Sequence, residues 1–269
     1  MFILIKKELS DSLRNKWLTS YAVMYMLIAL GLSYFSLLGI SGLGLKALGR
    51  ITASLINLTI FLTPLASLML GSTSIVSERE AGSLEWLLSQ PVSRRSVILG
   101  KFLGLTLAIS IATALGYGFA GLFLSMQLPT EDLPKYLGLI LISSALAAVG
   151  VAIGIFVSIT SRGRFEALAT SLLLWLTWVI IYDLLVMGAS IAFGLTYLTI
   201  FLLLVLNPVE SSRLLMAYII DPTLSFLGLT GMLAARDIWN LPLFLASVIF
   251  VWCLLPLIAS FKLFAKKDL

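Results

Sequence analysis

The chain has 269 residues, of which 60% are hydrophobic and 12% charged, with 18 Lys and Arg against 13 Asp and Glu and a mean hydropathy of +1.08. Soluble domains carry about 45–50% apolar and about 25% charged residues, so lipid, not water, must be the solvent for most of this surface. The sequence has no His and one Cys, which excludes His-based acid–base chemistry, His metal sites, Ser-His-Asp triads and intramolecular disulfides.

Phe2 to Ile5 is too short an apolar stretch for a secretory signal, and Lys6, Lys7, Glu8, Asp11, Arg14 and Lys16 follow where a cleavage site would stand. Ile5, Leu9, Leu13 and Trp17 fall at i, i+4 spacing on one face, which predicts an interfacial elbow helix over 1–17 lying among lipid headgroups. Continuous apolar runs follow at 18–40, 52–76, 102–127, 136–160, 167–189 and 241–261. Each approaches the roughly 20 residues a membrane-spanning helix needs, and their lack of period-two alternation excludes a membrane β-barrel. The expected fold is all-α: a single polytopic membrane domain with six transmembrane helices. Region 190–240 leaves two alternatives. Ile191 to Leu206 is apolar but only about 16 residues long, short for a crossing. It ends in Asn207-Pro208-Val209-Glu210, with Arg213 beyond. Either this region dips into one leaflet and returns, or it crosses twice more and gives eight spans.

The longest polar interruption in the first two-thirds is 77–101. Ser77 with Glu80 has capping-box spacing, Gly82 breaks a helix, and Ser83 is placed to cap a short new one. Leu84, Leu87 and Leu88 repeat at i, i+3, i+4 until Pro91 stops the helix; Ser93 caps the next, which carries Arg94, Arg95 and Lys101 into the third span. A helix of about two turns therefore leaves the bilayer with a leucine face. A partner, the elbow helix or the headgroup layer must cover it.

Thirteen of the 18 basic residues fall on one side of the six-span arrangement, among them Lys6, Lys7, Arg79, Arg94, Arg162, Arg164 and Lys262. The positive-inside rule makes that side, with both termini, the cytosol. The net charge of +5 is explained by this asymmetry without any nucleic-acid partner. Asp183, the one acid inside an apolar span, reads as a substrate contact or as a structural pair. Gly100-x-x-x-Gly104 and Gly150-x-x-x-Gly154 permit close helix approach, a spacing also common by chance. Trp175 and Trp178, a turn apart, read as lining a cavity or, the favoured reading, as facing lipid.

Glu78-Arg79-Glu80-Ala81-Gly82-Ser83-Leu84, then Leu87-Leu88-Ser89-Gln90-Pro91, then Arg94-Arg95 and Gly100-Lys101, resembles the signature stretch of the type-2 ABC exporter permeases. The segment Lys6 to Trp17 is similar to the elbow helix of that family, nearest its NosY-like branch. Asn207-Pro208-Val209-Glu210 with Arg213 resembles an Asn-Pro-x-[DE]-x-x-Arg segment of the same branch. The resemblance implies a plasma-membrane permease subunit that pairs with a second copy. It also implies coupling to a cytosolic P-loop ATPase, which would hold the ATP and magnesium. Glu78, Glu80, Gly82, Leu84, Leu87, Leu88, Pro91 and Arg94 would form the coupling region. Asp183, Asn207, Pro208, Glu210 and Arg213 are candidates for a substrate contact or gate, with an extracytoplasmic accessory protein as a further partner. No residue of this chain is expected to be catalytic or to ligate a metal or cofactor, and no P-loop occurs in it. Scattered methionines offer no copper pathway. An ATPase-independent secondary transporter or channel is the alternative, but it would call for several intramembrane charges, and the long spans offer Asp183 alone. A membrane-embedded enzyme would need an acidic pair or His cluster, and neither stands out.

Overall fold

The computed structural model describes residues 2–38, 46–90, 92–125, 133–224 and 240–266, and their regular structure is entirely helical. The elements run α1 (Phe2–Leu13), α2 (Lys16–Leu38), α3 (Lys46–Thr73), α4 (Val76–Glu80), α5 (Ser83–Ser89), α6 (Arg94–Ser125) and α7 (Leu133–Thr160). Next come α8 (Arg164–Leu176), a π-helical turn (Thr177–Ile181), α9 (Tyr182–Phe193), α10 (Tyr197–Leu206), α11 (Pro208–Ile220) and α12 (Leu241–Lys266). Among the described residues six helices are long and apolar enough to cross a membrane: α2, α3, α6, α7, the α8–π–α9 composite and α12. The all-α polytopic expectation holds.

The fourth crossing, α7, is the centre of the bundle, packed against α3, α6, α8, α11 and α12. Its tightest neighbour is α3, and both small-residue spacings singled out in the sequence are used. A Cβ on Gly154 would stand 2.8 Å from the Gly71 Cα and the Leu68 carbonyl oxygen, and one on Gly150 would run into the Ser67 side chain. Gly100 and Gly104 on α6 receive the elbow helix, their open faces filled by Leu4 and by the Glu8 Cβ. In lipid no hydrophobic force drives helices together, so such close backbone approach supplies the dispersion contacts that do.

Hydroxyls buried in the spans find one another. The Tyr21 hydroxyl bonds with Thr113 at 2.9 Å and Thr63 at 3.2 Å, and the Tyr25 hydroxyl meets Thr59 at 2.7 Å. These bonds cross from α2 to α3 and α6 and fix the rotation of helices whose outer faces are all apolar.

Several local expectations are corrected. The elbow ends at Leu13; the Asn15 side chain accepts from the Trp17 backbone N–H at 2.9 Å and starts α2, so Trp17 belongs to the first span. The Ser77–Glu80 capping box does not form, because Ser77 donates to the Thr73 carbonyl while Glu80 turns to Arg164. Ser83 is the first residue of α5 and not its cap; Gly82 occupies that position at φ 70°, in the left-handed region a glycine tolerates. Ser93 does cap α6, accepting from the Ser96 N–H at 3.2 Å. Pro91 and the Leu88 side chain lie outside the described residues.

Candidate functional sites

The first site lies on the end of the bundle that carries α1, α4, α5 and the close of α12, called here the basic face. Lys101 is 2% exposed and held between two acids, Glu8 Oε1 at 3.1 Å and Glu78 Oε1 at 2.8 Å. The Gly-Lys of the signature is therefore a socket: Gly100 and Gly104 admit the elbow, and Lys101 pins it to α4. Glu80 Oε1 accepts the Arg164 N–H at 2.7 Å, and the Arg79 guanidinium donates to the Ser161 and Arg162 carbonyls at 2.6 and 3.0 Å. Ser158 Oγ accepts from the Ile75 and Val76 N–H groups at 3.0 and 2.9 Å, satisfying backbone exposed by the break before α4. Arg94 donates to the Phe264 carbonyl at 2.9 Å, capping the last turn of α12. Sequence reasoning assigned Glu78, Glu80 and Arg94 to a partner; all three make these bonds within the chain.

The leucine face is likewise spoken for. Leu84 is 1% exposed and belongs to the main core, and Leu87 is buried as well. On α5 the surface offered outward is instead Glu85, Trp86 and Ser89, with Trp86 67% exposed. A short helix cannot bury every large side chain, and the apolar one left out is the signal that the leucine spacing hid. Beside this face a cleft of about 260 Å³ opens between α2, α3 and α8, its mouth marked by Asn15, Trp17 and Arg164.

The second site lies deeper. Asp183 stands 19 residues beyond Arg164 and 10 before Phe193, so about 15 Å of helix separates it from the far end of its span. The 10-residue α10 packs back along α9, and the chain then bends by 113° at Asn207 into α11. Asn207 caps α11, accepting from the Val209 N–H at 3.0 Å with Pro208 in the first turn. Its amide also donates to the Trp178 carbonyl at 2.7 Å, joining the hairpin tip to the π-helical turn. The turn itself sets Asp183 against α11. Arg213 reaches Asp183 Oδ2 at 3.3 Å and Glu210 Oε2 at 3.1 Å. Of the five residues expected together, Asp183, Glu210 and Arg213 form one charge cluster, Asn207 braces it, and Pro208 shapes the turn.

Asn207 to Ser212 are all buried, which corrects the idea that this segment offers itself to a partner. Trp175 is also corrected: it is 9% exposed, donates to the Phe61 carbonyl at 2.9 Å and meets the Phe61 ring edge-on. Trp178 packs edge-on against Trp252 of α12.

Comparison with known proteins agrees with this architecture. The chain is 32% identical over 222 residues to a protein of Pseudomonas aeruginosa described as a probable ABC transporter permease protein NosY, covering 80% of each chain. It is 28% identical over 268 residues to the protein of the same description from Stutzerimonas stutzeri, covering 97% of this chain and 96% of the relative. The description "ABC-2 family transporter protein" matches residues 2–269. The chain belongs to the ABC-2 family of transporter proteins.

Proposed function

We propose that this permease subunit belongs to an exporter, works as a dimer, and takes its energy from a separate P-loop ATPase that docks on α5. The observation that carries the reading is the outward Glu85–Trp86–Ser89 edge of α5. The charges of the neighbouring α4 are tied to α6, to α8 and to the joint between α7 and α8, so a push on α5 is transmitted into the bundle. ATP and magnesium reside on the partner. Thirteen basic residues on one side support a cytosolic basic face, with both termini there, in the plasma membrane.

Dimer formation is supported by the fifth crossing. Only 11% of its apolar window is buried within the chain, against 67% for α7, and it carries Asp183. The Asp183 side chain is about one-third exposed at this face, a costly position in lipid that a second copy laid here would cover. The Asp183–Glu210–Arg213 cluster would then lie beside the route between the two copies.

The α10–α11 hairpin reads as re-entrant from the outer side. Ten residues of α10 span about 15 Å, half of a roughly 30 Å core. Ile219, near the end of α11, lies against Gly138 in the opening turns of α7, on the side away from the basic face. An extracytoplasmic partner would meet its outer turns, around Thr196 and Thr223, and not Asn207 to Ser212.

The test is affinity purification of the tagged chain from its native membranes. Wild type should recover a P-loop ATPase whose ATP hydrolysis the permease stimulates. Trp86→Ala combined with Glu85→Lys should insert at the wild-type level and recover at least about tenfold less ATPase, since a buried interface aromatic is worth about 2 kcal/mol or more. Equal recovery and equal stimulation would remove α5 as the docking edge.

A further inference from the structure

Asp183, Glu210 and Arg213 sum to one net negative charge at a depth where the neighbouring helices supply none. The apolar stretches 52–73, 136–160 and 241–261, which belong to the helices packed on α11, contain no Asp, Glu, Lys or Arg, and α10 has none. Lys46, Arg50 and Lys135 stand only at the ends of α3 and α7 remote from the basic face. Arg213 spends one terminal nitrogen on each acid. The Glu210 side chain is about nineteen-twentieths buried, yet its Oε1 has no hydrogen-bond partner, and neither does Asp183 Oδ1. The two carboxyl groups are brought together on the one Arg213 guanidinium. Two carboxylates in such a place repel unless something positive lies between them.

Neighbouring polar groups do not fill the gap. The Tyr182 hydroxyl is donated to the Leu203 carbonyl, and the Asn207 amide to that of Trp178. We propose that this cluster is a binding site for one exchangeable monovalent cation, a proton or an alkali-metal ion, held between Asp183 and Glu210 with Arg213 as fixed counter-charge. A divalent metal fits poorly: the described residues contain no group of three His, Cys, Asp or Glu side chains able to hold one, and a guanidinium already occupies the site. An anion would add to charge that is already in excess. The net charge of the cluster limits the site to a single positive guest.

The framework suits a site that fills and empties. Five residues of π-helix lead into Asp183, and such turns recur where a helix is reshaped for function. Glu210 rides on a hairpin tied to that turn chiefly through Asn207, so loss of the cation would set α9 and α11 against each other. The proposal needs neither the ATPase nor a second copy.

The experiment uses the purified chain in lipid nanodiscs and reads the thermal unfolding midpoint across a pH series in choline chloride, then with sodium or potassium chloride. A guest bound only by the folded state stabilises it. Wild type should lose about 2–4 °C as the pH rises through the release of one proton, a shift of the order of 1 kcal/mol for a chain this long. Glu210→Gln, which supplies its own donor without charge, should abolish that extra pH response, and Asp183→Asn should do the same. Recovery of the midpoint by sodium or potassium at high pH identifies an alkali ion, whereas recovery only on acidification identifies a proton. Should Glu210→Gln fail to fold, Asp183→Asn alone decides. Parallel profiles for wild type and foldable variants, with no alkali response, would overturn the site.

Discussion

Lys101 illustrates how a legible motif hides its own mechanism. Gly100-Lys101 stands out in the sequence, but its partners Glu8 and Glu78 lie 93 and 23 positions away, and no local spacing encodes that meeting. A buried ammonium between two acids is destabilised severely if only one side of the arrangement is removed. Lys101→Met should therefore cost about 3–5 kcal/mol. Adding Glu8→Gln and Glu78→Gln to Lys101→Met should recover most of that loss, because no charge is then left unpaired. Thermal midpoints of the purified variants measure both. A triple variant as unstable as Lys101→Met would mean that shape, not charge, holds the elbow. The same limit explains α5. Its leucine spacing correctly announced a helix with an apolar face, but not that the bundle itself covers Leu84 and Leu87 and leaves Trp86 outside.

Among elements, the α3–α7 contact rests on glycine. Gly154→Val would force atoms into space already held by Gly71 and Leu68. Overpacking of a tight contact costs about 1–3 kcal/mol, and here backbone, not a flexible side chain, stands in the way. Gly154→Val should lower the unfolding midpoint markedly, while the same change at Gly118, where nothing lies within 4 Å of a would-be Cβ, should be nearly silent. Similar midpoints for the two would refute the close-approach account. Glycine spacing was readable from the sequence, but which partner each pair receives was not, since α1 and α3 offer equally small or flexible surfaces.

The hairpin was half legible. Asn207-Pro208 marked the break, but an apolar run of intermediate length fits both a shallow dip and a crossing. Its topology is accessible through the lone thiol, Cys253. In a Cys253→Ser background, Thr223→Cys should react with a membrane-impermeant maleimide in intact cells, as should Thr196→Cys at the other end of the hairpin. Both positions are exposed, whereas Ser211 is fully buried and would report nothing. Reaction at Thr196→Cys with none at Thr223→Cys until the membrane is broken would contradict the re-entrant reading.

At the scale of the whole molecule, the six spans were readable because lipid imposes a length and composition on every crossing that no soluble core demands. The packing order around α7 was not, because every face of these helices is apolar and the outward and inward sides look alike. The account makes the basic face one mechanical unit, in which elbow, α4 and the closing turn of α12 frame a single outward edge on α5. Site-specific photocrosslinking tests this most directly: a photoreactive phenylalanine derivative replaces Trp86 in native membranes, and Thr196 at the far end of the bundle serves as control. The account predicts an adduct between position 86 and a P-loop ATPase, abolished when the ATPase is absent, and none from position 196. No adduct from position 86 in membranes whose transporter still couples to ATP hydrolysis would contradict it.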